Sequence, residues 1–353
     1  MPTPPTPLRL EGNGTDRLLH CRVLQSPLAG VSDGIFRSLV RRWAPDALLF
    51  TEMVNATALE LGHGGAKMAA LDEDPGPVGV QLFDHRPDAM AEAARRAEAA
   101  GAWLIDINMG CPVRKIARKG GGSGLLRQPE LALRIVAAVA AAVRIPVTVK
   151  TRLGWCDASA DPVGFAVALQ NAGARALTLH GRTREQGFSG RADWAAIGRV
   201  KAALAIPVIA NGDITGPEEA RRCLAITGAD GVMVGRGSLG HPWLVGRIAT
   251  ALAGAPPPPE PDGRARIALA EEHLRALVAA RGDQGLLIAR KHLGWTCQGF
   301  AGAARLRQAL MRAPSLEAAL DLLRRADADL QAAGSEEAEL SRPGPCPADP
   351  GCR

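Results

Sequence analysis

A short polar segment in the first third of the chain combines residue types that proton-transfer chemistry needs. It reads Asp106-Ile107-Asn108-Met109-Gly110-Cys111-Pro112 and is followed by Lys115 and a run of three glycines. A thiol with a pKa near ~8.5 stays mostly protonated at neutral pH, so Cys111 could deliver a proton. No base adjoins it that would make it a nucleophile. The alternative is a buried structural cysteine, the commoner fate of this residue type.

Two further candidates lie at the ends of β-branched or aliphatic runs. Lys150 falls near the end of one run, and His180 ends the next and is followed by Gly181-Arg182-Thr183. Several donors at one place suit an anionic ring or a developing enolate. Lys150 alone has a second interpretation, because a desolvated lysine is also the Schiff-base nucleophile of aldolases.

Two glycine-rich segments could bind phosphate. They are Asn211-Gly212-Asp213 and Gly235-Arg236-Gly237, and each follows an aliphatic run. Backbone N–H groups in such loops bind phosphate, and an arginine adds a charge-assisted contact. The spacing Gly235-x-Gly-x-x-Gly240 also matches a dinucleotide fingerprint. We reject that interpretation because the chain continues into proline and no strand follows.

The elements that must position these residues are eight short runs separated by alanine- and leucine-rich stretches of helical character. Alternation of strand and helix predicts a parallel sheet. Thr215 and Glu218, with Pro217 between them, predict a capping box at the start of one helix. The eight predicted strands are Val23–Ser26, Ala47–Thr51, Val78–Gln81, Leu104–Asn108, Val147–Thr151, Ala176–His180, Val208–Asn211 and Gly231–Gly235.

The positions of the polar residues favour a closed (β/α)₈ TIM barrel over a doubly wound open sheet. An open sheet gathers ligand residues at one switch point, whereas a barrel brings the end of every strand to one rim. Polar or special residues follow nearly every run, namely Pro27, Glu52, Gln81, Asn108, Lys150, His180, Asn211 and Arg236.

The C-terminal part has a different pattern. After a proline run, Arg264–Arg281, Gln284–Thr296 and Ser315–Ala332 predict helices without intervening strands. We therefore expect an N-terminal extension over 1–17, the barrel over 18–255, an all-helical domain over 260–332 and a disordered tail over 333–353. From Arg264 to Arg312 there are nine Lys/Arg and three Asp/Glu, whereas the rest of the chain balances. A solvated helical face and a polyanion-binding surface both fit that excess.

Composition excludes several classes of protein. No apolar run reaches the ~18 residues of a membrane span, and the N-terminus lacks the pattern of a secretory signal. The seven cysteines form no CxxC pair, so neither a disulfide framework nor a zinc site is indicated. We expect a cytoplasmic protein with no metal and no membrane partner.

Taken together, these residues resemble the tRNA-dihydrouridine synthase family over roughly 18–326. The residues flanking Cys111 and the Arg290-Lys291-His292 segment are most similar to the bacterial B-type branch. The resemblance implies an FMN-binding barrel, a helical domain that binds tRNA, NADPH as reductant, and reduction of a D-loop uridine to 5,6-dihydrouridine by a monomer. Its motifs are Ser26–Gly30, Asp106–Pro112, His180–Thr183, Ile209–Asp213 and Ile288–His292.

The resemblance also implies roles for individual residues. Cys111 matches the proton donor to C5, while reduced flavin passes hydride to C6. Leu28 departs from the family pattern, which has methionine there, but the volume is similar. Substrate contacts would fall on Asn108, Lys115, Arg182, Arg290 and Lys291. The implied FMN contacts are Pro27, Leu28, Ala29, Gln81, Lys150, His180, Asn211, Gly212, Asp213, Gly235 and Arg236.

Three other functions compete with this hypothesis. The first is a flavin-dependent barrel that acts on a free pyrimidine, as dihydroorotate dehydrogenases do. It would have the same cofactor and a different substrate. A flavin-free lysine aldolase would use Lys150. A non-catalytic RNA-binding protein would bind no flavin and oxidise no NADPH.

Overall fold

The structure is a computed structural model that describes residues 7–68, 71 and 74–340, with side chains as far as residue 333. The chain divides into two compact units, residues 1–258 and 259–353. Each unit is described by itself.

The first unit is built around parallel strands, and the predicted TIM barrel is confirmed. Eight strands run in the spatial order β3-β11-β10-β9-β8-β7-β6-β4, and the Gln25 amide donates to the Leu48 carbonyl at 3.1 Å, so the sheet nearly closes. The strands are β1 (Leu8–Leu10), β2 (Arg17–Leu19), β3 (Val23–Gln25), β4 (Leu49–Phe50), β5 (Val54–Asn55), β6 (Val78–Phe83), β7 (Leu104–Met109), β8 (Val147–Arg152), β9 (Leu177–His180), β10 (Val208–Asn211) and β11 (Gly231–Val234).

The strand register explains how distant residues meet. Asn108 pairs with Lys150 across β7 and β8, Arg152 pairs with His180 across β8 and β9, and His180 pairs with Asn211 across β9 and β10. Because side chains alternate between the two faces of a strand, residues two apart share a face. Lys150 and Arg152 therefore point to the same side of β8.

Helices cover the outside of the barrel. Four of them begin with proline at the first turn, where the missing N–H costs nothing. Asp33, Asn55 and Asp193 cap three of the others through side-chain oxygens, and Asp161 caps one of the four that begin with proline. The helices of this unit are α1 (Gly34–Arg41), α2 (Ala56–Glu60), α3 (Pro87–Ala99), α4 (Arg114–Arg118), α5 (Pro129–Ala142), α6 (Pro162–Asn171), α7 (Trp194–Ala203), α8 (Pro217–Thr227) and α9 (Leu244–Leu252).

One local prediction was wrong. The N-cap of α8 is Gly216, and no side chain caps this helix, so Thr215 and Glu218 do not form a capping box. Thr215 lies one residue too early for that role, and its side of the loop faces the cavity at the barrel mouth instead.

Residues 8–19 form a structure that the sequence patterns did not predict. Strands β1 and β2 pair as an antiparallel hairpin, and Leu8, Leu10 and Leu19 join the core between the barrel strands. Their partners there include Phe50 and Leu104. The hairpin thus adds apolar surface to the barrel interior.

The second unit is helical. It contains α10 (Gly263–Thr296), α11 (Ala303–Leu310) and α12 (Leu316–Leu340). The predicted break between two helices appears inside α10 as a kink at Gly282, whose φ of 54° and ψ of −138° are not helical. Helix α11 was not predicted. The predicted disorder is wrong as far as Leu340, because α12 continues, and residues 341–353 lie outside the described chain.

The structural boundary changes how the charge is distributed. Residues 259–353 contain thirteen Lys/Arg and thirteen Asp/Glu, so the whole excess of +6 belongs to the barrel unit. Within the helical unit, Arg264 pairs with Asp327 and Arg266 with Glu260, both acids outside the segment counted from the sequence. The basic excess of 264–312 is therefore offset by acidic residues elsewhere in the same unit, two of which pair with its arginines.

We predict that the hairpin contributes measurably to barrel stability. Leu19→Ala should lower the free energy of unfolding by about 2–5 kcal/mol, because Leu19 is fully buried and its loss leaves a cavity. The neighbouring Leu18 is 55% exposed, and Leu18→Ala should change stability by less than about 0.5 kcal/mol. Urea denaturation of both variants measures this, and equal effects would show that the hairpin is not part of the core.

Candidate active site

The carboxyl ends of the barrel strands surround a cavity of about 600 Å³. This lies within the ~300–1,000 Å³ typical of ligand sites. Most of the residues singled out in the sequence line it, although they come from all parts of the barrel. Those residues are Pro27, Leu28, Ala29, Gln81, Asn108, Cys111, Lys150, His180, Asn211, Gly212, Asp213, Gly235 and Arg236.

Lys150 and Asn211 form a fixed pair inside the cavity. The Lys150 ammonium donates to Asn211 Oδ1 at 2.9 Å, and Asn211 Nδ2 donates to the Met233 carbonyl at 2.8 Å. Asn211 therefore has a defined amide orientation. Burial, with the nearby charge of Arg152, lowers the pKa of Lys150 to about 8. Lys150 is thus a cation at neutral pH that loses its proton in mildly alkaline solution.

The loop after β7 holds Cys111 at the cavity wall. Asn108 Oδ1 accepts hydrogen bonds from the backbone N–H of Cys111 at 2.9 Å and of Gly110 at 3.2 Å. Arg152 Nε donates to the Gly110 carbonyl at 2.8 Å. Gly122 approaches closely, because an added Cβ would lie 3.1 Å from Cys111 Cβ, and its φ of +55° favours glycine.

The thiol of Cys111 remains protonated at neutral pH. Burial raises its pKa above the ordinary value, and the Val113 N–H and the charges of Arg152 and Lys150 only partly oppose this effect. The side chain is half-buried and faces the same cavity as Lys150 and His180. It can therefore serve as an acid but not readily as a nucleophile.

His180 is neutral. Burial and the charges of Lys150, Arg152 and Arg182 lower its pKa to about 2. It can accept or donate a hydrogen bond, but it brings no positive charge to the cavity. His180 therefore adds no pH dependence to the charge of the site in the physiological range, and that charge comes from Lys150 and the arginines.

Arg182 does not reach the cavity. Its guanidinium is 2% exposed and donates to the carbonyls of Ser189 and Gly190 and to Asp213 Oδ2 at 2.8 Å. Asp213 also accepts from the Ala192 N–H. The predicted contact between Arg182 and a substrate stays a prediction. The donors of Arg182 are used by carbonyls of the loop after β9, by Asp213 after β10 and by the ring of His180 at 3.4 Å.

Arg152, unlike Arg182, is a cavity residue, and no sequence pattern was used to single it out. It lines the cavity, donates to the Gly110, Thr183 and Gly187 carbonyls, and has a pKa lowered to about 10 by burial. Its position two residues after Lys150 was the available signal, since both share one face of β8.

Phe188 was also missed, and it forms part of the cavity wall. It is 52% exposed, and the guanidinium of Arg236 lies over its ring at 4.2 Å. The guanidinium of Arg152 lies 5.5 Å from the same ring. Phe188 sits in a loop between β9 and α7 without periodicity, so no sequence pattern pointed to it.

The two glycine loops lie on one side of the cavity. Gly212 has φ +116°, and an added Cβ would lie 2.9 Å from His180 Cδ2, so only glycine fits beside the histidine. Its carbonyl accepts from Trp194 Nε1 at 3.0 Å. Asp213 follows with a φ of 59°, the one positive φ found at a non-glycine residue in the described part of the chain.

Three predicted substrate contacts lie elsewhere. Lys115 is exposed on α4, the short helix just beyond Cys111. Arg290 and Lys291 belong to the helical unit, where Arg290 is half-buried and donates to the Ala313 carbonyl at 3.1 Å.

Among the residues that the structure describes, no group of three or more His, Cys, Asp or Glu side chains is placed to hold a metal ion. None of the described helices combines the length and apolar character that crossing a membrane requires.

Polar side chains that converge on one cavity at the carboxyl ends of parallel barrel strands define a (β/α)₈-barrel enzyme. The family model "Dihydrouridine synthase" matches residues 24–333. "Probable tRNA-dihydrouridine synthase 1" of Synechocystis sp. is 55% identical over 305 residues, 86% of either chain. "tRNA-dihydrouridine synthase B" of Xanthomonas campestris pv. campestris is 42% identical over 315 residues, 86% of this chain and 92% of its own.

A solved structure agrees on the fold. Histamine dehydrogenase from Rhizobium sp. 4-9 matches with a TM-score of 0.53 and 14% identity, over 76% of this chain and 50% of its own. The chain belongs to the dihydrouridine synthase family, so the resemblance predicted from the motifs is confirmed, and it is an oxidoreductase of that family.

We predict that Arg182 supports the loop rather than the chemistry directly. Arg182→Met should lower the free energy of unfolding by about 2–3 kcal/mol, because it leaves buried carbonyls without donors. Arg191→Met, which removes an exposed arginine of the same loop, should change it by less than about 0.5 kcal/mol. Thermal and urea denaturation compare the two, and an unchanged stability for Arg182→Met would contradict this assignment.

Proposed function

We propose that this protein is a flavin-dependent tRNA-dihydrouridine synthase that reduces the C5–C6 bond of a D-loop uridine, with NADPH as reductant. The observation that carries the proposal is the meeting of a protonated thiol, Cys111, with Lys150 and a neutral His180 in one cavity. Family membership supports the same reaction class.

The cavity suits FMN. Pro27, Leu28 and Ala29 offer an apolar wall, and Gln81 and Lys150 offer an amide and a cation to polar ring atoms. The glycine loops and Arg236 suit its phosphate. When bound, the flavin would supply hydride to C6 of the base. The full proposed set is Pro27, Leu28, Ala29, Gln81, Lys150, His180, Asn211, Gly212, Asp213, Gly235 and Arg236.

The uracil must be swung out of the RNA stack to enter the cavity. Asn108 uses its Oδ1 for the cysteine loop and one Nδ2 hydrogen for Gln81, so it would meet the base through the other Nδ2 hydrogen, which lies beside Met53 Sδ. Negative charge developing on the C4 oxygen would be stabilised by Lys150 and by a hydrogen bond from neutral His180. Cys111, on the face opposite the flavin, would then protonate C5.

The RNA backbone would meet the barrel rim as well as the helical unit. From Cys111 to Gln128 the chain has five Lys/Arg and no Asp/Glu, and α4 carries most of them at the surface. Phosphates bind such clusters through released counterions. Lys115 is therefore proposed as an RNA contact on the barrel, with Arg290 and Lys291 on the helical unit.

The first prediction of this proposal concerns the thiol. Cys111→Ala should keep FMN and its reduction by NADPH but lower dihydrouridine formation by about 10²–10⁴-fold, the usual contribution of a general acid. Cys156→Ala, which removes another half-buried thiol in the same unit, should leave turnover unchanged. Unchanged dihydrouridine formation in Cys111→Ala would remove the cysteine from the mechanism.

The second concerns pH. The single-turnover rate at saturating tRNA should fall as the pH rises through about 8, because Lys150 is protonated below its pKa and neutral above it. Lys150→Arg should move the fall to higher pH because guanidinium keeps its charge. If Lys150→Met shows the same alkaline fall as the native chain, another group titrates.

The third concerns the rim. Lys115→Ala should weaken tRNA binding and reduce the slope of log affinity against log salt by about 1. Arg175→Ala removes an exposed charge just before β9, at the opposite end of the strands, and should change neither the tRNA affinity nor its salt dependence.

Equal turnover of free uridine and of tRNA would instead favour a reductase of free pyrimidines.

A further inference from the structure

A fully buried carboxylate lies directly beneath the cavity. Asp106 is 0% exposed and accepts hydrogen bonds from Gln81 Nε2 at 2.6 Å and from Thr148 Oγ1 at 2.7 Å. Burial raises its pKa to about 6, which shows that the charge is held at a cost. The proposed reaction gives Asp106 no task, because it does not line the cavity.

Hydrogen bonds connect this carboxylate to the cysteine loop. Gln81 turns its Nε2 to Asp106 and accepts from Asn108 Nδ2 on its Oε1 at 2.8 Å. Asn108 in turn accepts the N–H groups of Gly110 and Cys111 on its Oδ1. The chain of bonds therefore runs from Asp106 through two amides to the backbone of Cys111.

The order of donors and acceptors in this chain has a single solution. An ionised carboxylate can only accept hydrogen bonds, so the Gln81 amide must direct its nitrogen to Asp106 and its oxygen to Asn108. Asn108 must then present its nitrogen to Gln81, which leaves its oxygen for the two loop N–H groups. Reversing either amide would set two donors or two acceptors against each other, at a cost for buried groups.

The strand register places the members of this hydrogen-bond chain in two successive layers of the barrel interior. Gln81 pairs with Asp106, and Asp106 pairs with Thr148, in one row across β6, β7 and β8. Asn108 lies two residues further along β7, opposite Lys150. Gln81 and Asn108 line the cavity while Asp106 lies below it, so Asp106 acts through them.

We propose that Asp106 is a positioning residue that, through Gln81 and Asn108, fixes the backbone of the Cys111 loop and hence the direction of the thiol. Its importance for turnover rests on the proposed function, in which that thiol is the acid. The positioning itself is a property of the chain and can be measured without any uracil chemistry. The same device fixes which amide atom Gln81 shows to a ligand.

The test measures the reactivity of individual thiols in the purified full-length protein. Asp106→Asn places an amide that both donates and accepts at position 106, so the amide chain loses its imposed direction. We expect iodoacetamide to alkylate Cys111 about three- to tenfold faster, because a freed loop exposes the thiol. The midpoint of its pH profile should move down toward the ordinary value for cysteine.

A charge-conserving swap provides the rescue. In the double variant Asp106→Asn, Gln81→Glu, the carboxylate at position 81 accepts from Asn108 and from the new amide at position 106. That amide can still accept from Thr148 on its oxygen, so every bond is remade and Asn108 keeps its orientation. The alkylation rate of Cys111 should return to within about twofold of the native rate.

Internal references separate positioning from general loosening. Cys21 and Cys156, also free and half-buried, are followed by peptide mass spectrometry in the same samples and should react at native rates. Thr148→Val removes the other hydrogen bond to Asp106 and leaves the hydrogen bonds of Gln81 and Asn108 in place. It should change the alkylation rate of Cys111 by less than about twofold.

Three results would overturn the proposal. They are an unchanged Cys111 profile in Asp106→Asn, a double variant no closer to native than the single one, or an equal rise at all three thiols. A fast-reacting Cys111 together with unchanged turnover would instead count against the thiol as proton donor and leave its positioning by Asp106 intact.

Discussion

Burial of polar side chains at the carboxyl ends of the strands is the constraint on which the rest of this site depends. A barrel brings one or two residues from each strand to the same mouth, where water is largely replaced by other side chains. Each polar group must then find a partner within the mouth. Lys150 donates a hydrogen bond to Asn211, Arg152 donates to three backbone carbonyls, and Asn108 accepts from the backbone of the cysteine loop. The same contacts that satisfy these groups also orient them.

Crowding of charge in a buried mouth also sets the protonation states. Removal from water and neighbouring cations together make His180 neutral and bring the pKa of Lys150 down to about 8. Burial has the opposite consequence for acids, because it raises the pKa of Cys111 and of Asp106. A protonated thiol, a neutral imidazole and a charged amine can thus coexist at neutral pH. That combination suits delivery of a proton to one atom while charge builds on another.

The barrel and most of the cavity could be predicted from the sequence because both depend on local patterns of apolar and polar residues. Aliphatic runs end where polar residues begin, and the end of each parallel strand faces the same rim. Seven residues singled out in this way line the cavity, namely Pro27, Gln81, Asn108, Lys150, His180, Asn211 and Arg236, whereas Leu28 and Ala29 were expected there only from the family resemblance. Arg152 was missed because it continues a strand instead of ending one, although alternation along β8 pointed to it. The direction of Arg182 depends on Asp213 and on carbonyls of a loop, and no pattern in the sequence encodes such long-range partners.

Other errors have the same physical origin. Each strand of the N-terminal hairpin has only three residues, which is too short to be recognised from the sequence alone. The hairpin is stabilised by burial of its leucines against the barrel core. The basic excess from Arg264 to Arg312 is offset by an equal acidic excess in the rest of residues 259–353, and two of those acids, Asp327 and Glu260, pair with Arg264 and Arg266 in the folded chain. The charge that would attract RNA is consequently found on the barrel, near the cysteine loop.

In the proposed reaction, the thiol of Cys111 and the flavin flank opposite faces of one uracil ring. The stereochemistry of addition tests this arrangement most directly. The reaction is run with deuterated NADPH in D₂O, and the dihydrouridine is isolated and the coupling between its C5 and C6 protons measured by NMR. We expect the two deuterium atoms to lie on opposite faces of the ring. Addition of both to the same face, or an equal mixture at C5, would contradict it.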